Sequence, residues 1–287
     1  MTQAIVSGLL MGLVFALIAL GLTMIFGVMD VVNFAHGEFL MLSMYASFWL
    51  FVLLGIDPAL SGPVVAVFGA LLGVLTYYLL VKHVMRGPPL AQICSTFGLL
   101  LFLQNLALFL WGPDFRLINN GWLVDKVIQI GTLRLPYALL AAGTVGLLGF
   151  AIIYFLVKRT RTGAALLATS IDAEAARYMG IETDHMNALA WAIGGACVGL
   201  AGAMLANFFY ITPTTGLVFV MLAFTTVAIG GFGSITGALY AGIFIGIVHS
   251  LVGVYIGSEF KLPVIYSLYF VTMLVSPRGL SGLFGWR

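Results

Sequence analysis

The chain has 287 residues, 62% of them hydrophobic and 8% charged, with a formal net charge of +2 and a mean hydropathy of +1.14. Soluble domains carry charge on about a quarter of their residues, so an ordinary soluble globule is excluded, and so small a net charge gives no footing for nucleic-acid binding. The missing charge comes in blocks: no Asp, Glu, Lys or Arg precedes Asp30, and none lies between Asp184 and Glu259.

A run of about 20 apolar residues crosses the hydrocarbon core as a helix. Lipid admits only helices and closed barrels, and these runs are too long for barrel strands. The expected fold is an all-α polytopic transmembrane helical bundle of about 8–10 membrane segments, forming one membrane domain over residues 1–287. In chain order the predicted spans are Ala4–Val28, Phe39–Ile56, Leu60–Val81, Ile93–Gly112, Pro136–Val157, Asn187–Tyr210, Val218–Gly231, Ile235–Ile256 and Leu262–Val275. Val218–Gly231 and Leu262–Val275 are short enough to be tilted, broken or re-entrant. The first run follows Met1-Thr2-Gln3, which lacks the basic start of a secretory signal, and it reads as a retained span. Cys94 and Cys197 fall inside apolar runs and read as small buried residues, not a disulfide or metal site.

Orientation follows from Lys and Arg. Lys82 and Arg86, then Lys158, Arg159, Arg161 and Arg177, then Arg278 and Arg287 belong on the cytoplasmic side by the positive-inside rule. Arg116, Lys126, Arg134 and Lys261 alternate with Asp114, Asp125 and Glu259, a mixture that suits the outer face. The side of the N-terminus depends on whether Asp30–Glu38 is a loop or a break inside the membrane. Gly8/Gly12, Gly69/Gly73, Gly195/Gly199 and Gly242/Gly246 have the small-xxx-small spacing of tightly packed spans.

One polar island stands in the cytoplasmic connection of about residues 158–186. Thr169-x-x-Asp172 has capping-box character, Asp172 and Glu174 load a first turn with negative charge, and Gly180 suits a left-handed helix end. The expectation is a helix of about ten residues from Ser170 to Met179, too short to stand alone, with Ala173, Ala175 and Ala176 as a smooth docking face.

Glu174-Ala175-Ala176-x-x-x-Gly180 resembles the EAA loop of ABC-importer permeases, whose short cytoplasmic helix docks into the ATPase subunit; the apolar-Leu-Pro continuation of that pattern is missing. Gly21 to Glu38 resembles the signature of branched-chain amino acid ABC permeases. Ser95-Thr96-Phe97-Gly98 with Gln104-Asn105 is similar to the segment that follows in those proteins, and Gly230-Gly231-Phe232-Gly233-Ser234-Ile235-Thr236-Gly237 to their glycine-rich signature. The four segments occur in family order, and the match is to the smaller, H-type subunit. The resemblance implies a multi-pass protein of the bacterial cytoplasmic (inner) membrane that translocates amino acids, with Leu, Ile and Val foremost. It implies Ser170, Asp172, Glu174, Ala175, Ala176, Arg177 and Gly180 as the ATPase-coupling helix. Its implied partners are a homologous second (M-type) permease subunit, two ATP-binding subunits, and a periplasmic or lipid-anchored substrate-binding protein. ATP and Mg would sit on the partner subunits and this chain would bind no cofactor, in keeping with a sequence in which none of the four lysines follows a glycine as in a phosphate loop.

Asn33, His36 and Glu38 interrupt the apolar pattern. Ionisable residues within the membrane mark a pathway or a paired site; alternatively the segment is a membrane-edge loop whose Asp30 and Glu38 are hydrated. Asn33 and Gly37 would share a face if the segment were helical. Ser95, Thr96, Gln104 and Asn105 either contact substrate or bond to neighbouring helices. His36 and Glu38, two apart, do not make a metal motif, and His249 reads as a packing residue. Ser234 and His249 would lie roughly 22 Å apart along one helix, so they form no hydrolytic pair. A stand-alone secondary transporter or channel is the other function class, with Asp30 and Glu38 its only coupling carboxylates; an accessory structural subunit is a third.

Overall fold

Helix α1 (Thr2–Met29) is apolar on every side and buried almost continuously from Leu10 to Ile25. A helix without a polar face belongs in the middle of its bundle, and α1 packs on the helices Tyr137–Arg159, Thr183–Leu205, Thr215–Gly230 and Ile235–Tyr255. The computed structural model describes residues 1–85, 87–124, 126–131, 133–276 and 279. Arg86, Asp125, Arg278 and Arg287, four of the charges used to orient the chain, lie outside them.

The elements that follow are α2 (His36–Leu54), α3 (Pro58–Thr76), a π-helical turn (Tyr77–Val81), α4 (Lys82–Val84) and α5 (Pro89–Trp111). Strands β1 (Val127–Ile130) and β2 (Leu133–Pro136) come next, followed by α6 (Tyr137–Arg159), α7 (Arg161–Ile171) and α8 (Ala173–Tyr178). The chain closes with α9 (Thr183–Leu205), α10 (Thr215–Gly230), α11 (Ile235–Tyr255), a 3-10 turn (Ser258–Phe260) and α12 (Lys261–Val275). Among the described residues, eight helical segments are long and apolar enough to cross a membrane, with α10 shorter at 16 residues.

The all-α transmembrane bundle is what the structure shows, with one small addition outside its spans. β1 and β2 form an antiparallel hairpin with Val127 opposite Pro136 and Ile130 opposite Leu133. Lys126 and Arg134 kept this segment out of the apolar runs, and at four residues per strand it lies outside any span.

The same hairpin locates the N-terminus. Gln3 Nε2 donates to the Arg134 carbonyl at 3.1 Å, so α1 starts at the mixed-charge end. At the other end a Cβ on Gly27 would stand 3.2 Å from Gly233. Gly279 lies there too, where a Cβ on it would meet the Ala228 carbonyl at 2.6 Å. Among the described residues, nine alternating segments connect these points, so α1 starts at the end opposite α7 and α8.

Glycine fixes two helix seams. On the α3–α9 seam a Cβ on Gly69 would lie 2.2 Å from the Gly195 carbonyl, and one on Gly73 2.1 Å from that of Trp191. On the α1–α11 seam a Cβ on Gly246 would lie 2.3 Å from the Gly12 Cα. The four small-xxx-small pairs thus meet two by two, at distances that no side chain permits. Ser47 adds a hydrogen bond between spans, donating to Ser61 at 2.9 Å while Ser61 donates to the Pro58 carbonyl. Cys197 is buried as expected, but Cys94 is exposed on α5, because α5 and α12 lie at the margin of the bundle, with most of each helix exposed.

Candidate functional site

Two regions of the fold gather the polar residues singled out in the sequence. The first lies inside the bundle. Asp30, in a left-handed conformation (φ 53°), ends α1 and is exposed. The chain then turns back into the protein, and Asn33, His36 and Glu38 are all fully buried. Asn33 is not helical, so it shares no helix face with Gly37. Its side-chain oxygen instead accepts from the Ala35 amide at 3.0 Å and helps to start α2.

His36 Nε2 donates to the Ile18 carbonyl at 3.0 Å. Ile18 is about 24 Å along α1 from Thr2 and about 16 Å from Met29 at 1.5 Å per residue. α2 therefore begins near the middle of the span. Asp30 is exposed, whereas Glu38 is fully buried. A Cβ on Gly37 would lie 2.2 Å from the Gly216 carbonyl, and one on Gly216 2.8 Å from Glu38 Oε1. The N-terminal turns of α2 and α10 thus cross at mid-depth with Glu38 between them. Neither carboxyl oxygen of Glu38, nor Asn33 Nδ2, nor His36 Nδ1, has a hydrogen-bond partner among the described residues. Unpaired polar groups at such depth are costly, and broken helices whose ends meet at the midplane are how transporter folds form binding sites.

The α5 residues divide. Thr96 is buried and donates to the Val32 carbonyl at 3.0 Å, tying α5 to the loop before His36. Ser95 bonds back to the Ala91 carbonyl and Asn105 to that of Leu101, each at 2.7 Å. Gln104 and Asn105 line a cavity of about 380 Å3 at the outer end, with Phe115 and Thr212–Thr214. They are not part of the Glu38 cluster. That end is closed by Arg116, whose backbone pairs with Ile211 and whose guanidinium lies 5.5 Å from the Phe48 ring centre and 5.2 Å from that of Trp49.

The second region is at the end of the bundle that carries Lys82, Lys158 and Arg159. The expected helix from Ser170 to Met179 is in fact two. Ser170 belongs to the last turn of α7, bonding to the Leu167 carbonyl at 2.8 Å, and Thr169 bonds to Ala165, so there is no Thr169–Asp172 capping box. Asp172 breaks the chain with extended backbone, and its Oδ1 accepts from the Glu174 and Ala175 amides at 2.9 Å each. It is an N-cap, which is why α8 starts there. The other end is a Schellman closure: Gly180 takes φ +83° and donates to the Arg177 carbonyl, while Ile181 donates to that of Ala176. Ala176 is buried inward and Ala173 and Ala175 are exposed, so the alanine face is divided. The apolar exposure comes from Ile171, Tyr178 and Met179, at 78%, 82% and 83%.

The glycine-rich segment joins α10 to α11. A Cβ on Gly230 would lie 2.5 Å from the Gly237 carbonyl, Gly231 (φ 97°) and Gly233 (φ 77°) are left-handed, and Ser234 caps α11 by accepting from the Gly237 amide. His249 packs edge-on to Phe15. Among the described residues no group of three His, Cys, Asp or Glu is placed to hold a metal.

Sequence reasoning missed one cluster. Asp184 receives Lys82 at 2.9 Å, the Tyr77 hydroxyl at 3.3 Å and the Arg177 guanidinium at 3.9 Å. Tyr77 and Lys82 come from one stretch of chain and Arg177 from another about a hundred residues on, and no local pattern connects them.

Comparison with known proteins covers nearly the whole chain. Residues 4–276 match the family described as branched-chain amino acid transport system / permease component. The high-affinity branched-chain amino acid transport system permease protein LivH of Escherichia coli (strain K12) is 31% identical, over 98% of this chain and 95% of the relative. The permease protein BraD of the corresponding Pseudomonas aeruginosa system is 28% identical over the same shares. A probable LivH from Methanocaldococcus jannaschii is 29% identical, over 93% of this chain and 88% of the relative. No solved structure matches the chain.

Proposed function

Because this chain belongs to the family of permease components of branched-chain amino acid transport systems, we propose that it works as the membrane-spanning subunit of an ATP-driven amino acid importer, with ATP hydrolysed on separate subunits. Leucine, isoleucine and valine are the proposed cargo; amides, urea and aromatic acids are the related alternatives. The protein itself is a multi-pass transport permease of the cytoplasmic membrane.

The observation that carries the coupling reading is α8. A six-residue helix capped by Asp172 and closed at Gly180 projects exposed Tyr178 and Met179 from the cytoplasmic end. It is far below the length at which helices stand alone; its own chain holds Ala176 and Arg177, and the uncovered Tyr178 and Met179 are a surface suited to a partner. An ATP-binding subunit fits that role, with a second permease subunit and an external substrate-binding protein completing the assembly. Movement of α8 then tilts the spans and switches which side of the bundle is open.

The buried crossing of α2 and α10 is the proposed cargo route. Glu38 offers a carboxyl to an ammonium group, and the first-turn amides of α10 offer donors to a carboxylate. Thr96 positions this region from α5 rather than touching cargo.

Purification in detergent tests the first step: two ATPase subunits and a homologous permease are expected to co-purify. Uptake of radiolabelled leucine with the cognate binding protein, competed by valine, urea, short amides and benzoate, tests the cargo. Uptake that persists without ATPase subunits would instead favour a stand-alone transporter.

A further inference from the structure

We propose that Asp184 is the positioning residue through which displacement of α8 reaches the membrane-spanning helices α3 and α9; this rests on the coupling reading given above. Asp184 lies in the first turn of α9, immediately after the connector that leaves α8. Three groups from three elements meet its carboxylate. Lys82 of α4 stands 2.9 Å from Oδ2, the Tyr77 hydroxyl of the π-helical turn donates to Oδ1 at 3.3 Å, and Arg177 Nη2 of α8 stands 3.9 Å from Oδ1. Arg177 also donates through Nε to the buried Thr183 hydroxyl at 2.6 Å. Its guanidinium therefore bridges α8 to two successive residues of α9. The neighbouring Glu182 and His185 pair with each other at 2.7 Å.

Tyr77 carries the linkage inward. It is fully buried, and its hydroxyl also lies 3.5 Å from Asn187 Nδ2, further along α9. It opens the π-helical turn that ends α3, and such turns mark places where a helix departs from regular hydrogen bonding, often at functional positions. A cavity of about 890 Å3 lined by Tyr77, Lys82, Arg177, Thr183 and Asp184 separates α8 from this turn. Across that gap the side chains of Arg177, Asp184 and Lys82 make the bridge. Lys82 and Asp184 are close to half exposed, at 44% and 45%, and ion pairs in such settings add little to stability. A cluster that hardly stabilises the fold yet joins α8, α9 and the end of α3 is suited to transmitting a shift.

The test uses the complete transporter in proteoliposomes, with ATP hydrolysis and leucine uptake measured on the same vesicles. Asp184→Asn is expected to keep binding-protein-stimulated ATP hydrolysis and lose about tenfold in uptake, so that more ATP is spent per leucine moved. The charge exchange Lys82→Asp with Asp184→Lys is expected to restore part of the lost uptake, whereas Lys82→Asp alone does not. An unchanged ratio of hydrolysis to uptake in Asp184→Asn overturns the proposal, as does a proportional loss of both, which marks a merely structural role. Leucine uptake by the unaltered complex that needs no ATP overturns the coupling reading itself, and the role of Asp184 with it.

Discussion

His36 Nε2 lies 3.0 Å from the Ile18 carbonyl oxygen. Two residues of adjoining spans, eighteen apart in sequence, thus bring the start of α2 to the middle of α1. The protonated ring nitrogen is Nε2, since a carbonyl can only accept. Everything next to His36, including Glu38, is held at that depth.

Glu38→Gln keeps the shape of a side chain whose oxygens have no partner among the described residues. Stability of the purified complex is expected to change by less than about 1 kcal/mol, since no hydrogen bond is lost. Leucine uptake is expected to fall at least about tenfold, the scale of a hydrogen bond to a charged group. Thermal melting and uptake on one preparation separate the two, and undiminished uptake removes Glu38 from the route.

The α3–α9 seam predicts a contrast between glycines. Gly69→Val places carbon against the Gly195 carbonyl, where even a Cβ would stand at 2.2 Å. A loss of about 1–3 kcal/mol or failure to accumulate in the membrane is expected. Gly98→Ala, where a Cβ meets nothing within 4 Å, is expected to be neutral or slightly stabilising, since alanine favours helix by up to about 1 kcal/mol. Fluorescence-detected gel filtration after heating compares them directly.

Much of this was legible in advance, for a physical reason. Long apolar runs dictate helices, and spaced glycines dictate close seams, so the spans and all four glycine pairs were readable. Which pair meets which was not, because spacing within one helix carries no information about its partner. The cytoplasmic helix was placed slightly wrong because Asp172 can sit in a first turn or cap one, and only its backbone decides. The depth of Glu38 depended on His36 reaching Ile18, and the Asp184 cluster on residues about a hundred positions apart; neither leaves a periodic trace.

Capping at α8 yields a third prediction. Asp172→Ala removes the acceptor of two backbone amides and is expected to cost about 1 kcal/mol locally, with Asp172→Asn retaining most of the cap. Gly180→Val forces a branched residue into a left-handed turn, costing about 1–2 kcal/mol. Both the alanine and valine variants are expected to weaken capture of the ATPase subunits several-fold in pull-downs, while the asparagine variant captures nearly as well as the parent.

Topology can be checked by labelling in a variant whose native cysteines are replaced. A cysteine at Thr2 is expected to react with an impermeant maleimide from outside. One at Ala175, exposed on α8, should react only after permeabilisation. In the unaltered chain Cys94 is expected to react with a membrane-permeant maleimide and Cys197, fully buried, to stay protected until denaturation. Outside labelling at Ala175 would contradict the assigned sidedness of α8.

The seam between α1 and α11 also has a consequence for biogenesis. The glycines of α1 emerge from the ribosome long before their mates on α11. Until then the leading helix sits in the bilayer with its notched side unmatched, dependent on lipid or on an insertase to shield it. Premature termination anywhere before Gly242 leaves that notch permanently open, so truncated chains ought to be substrates for membrane quality-control proteases rather than partly working permeases.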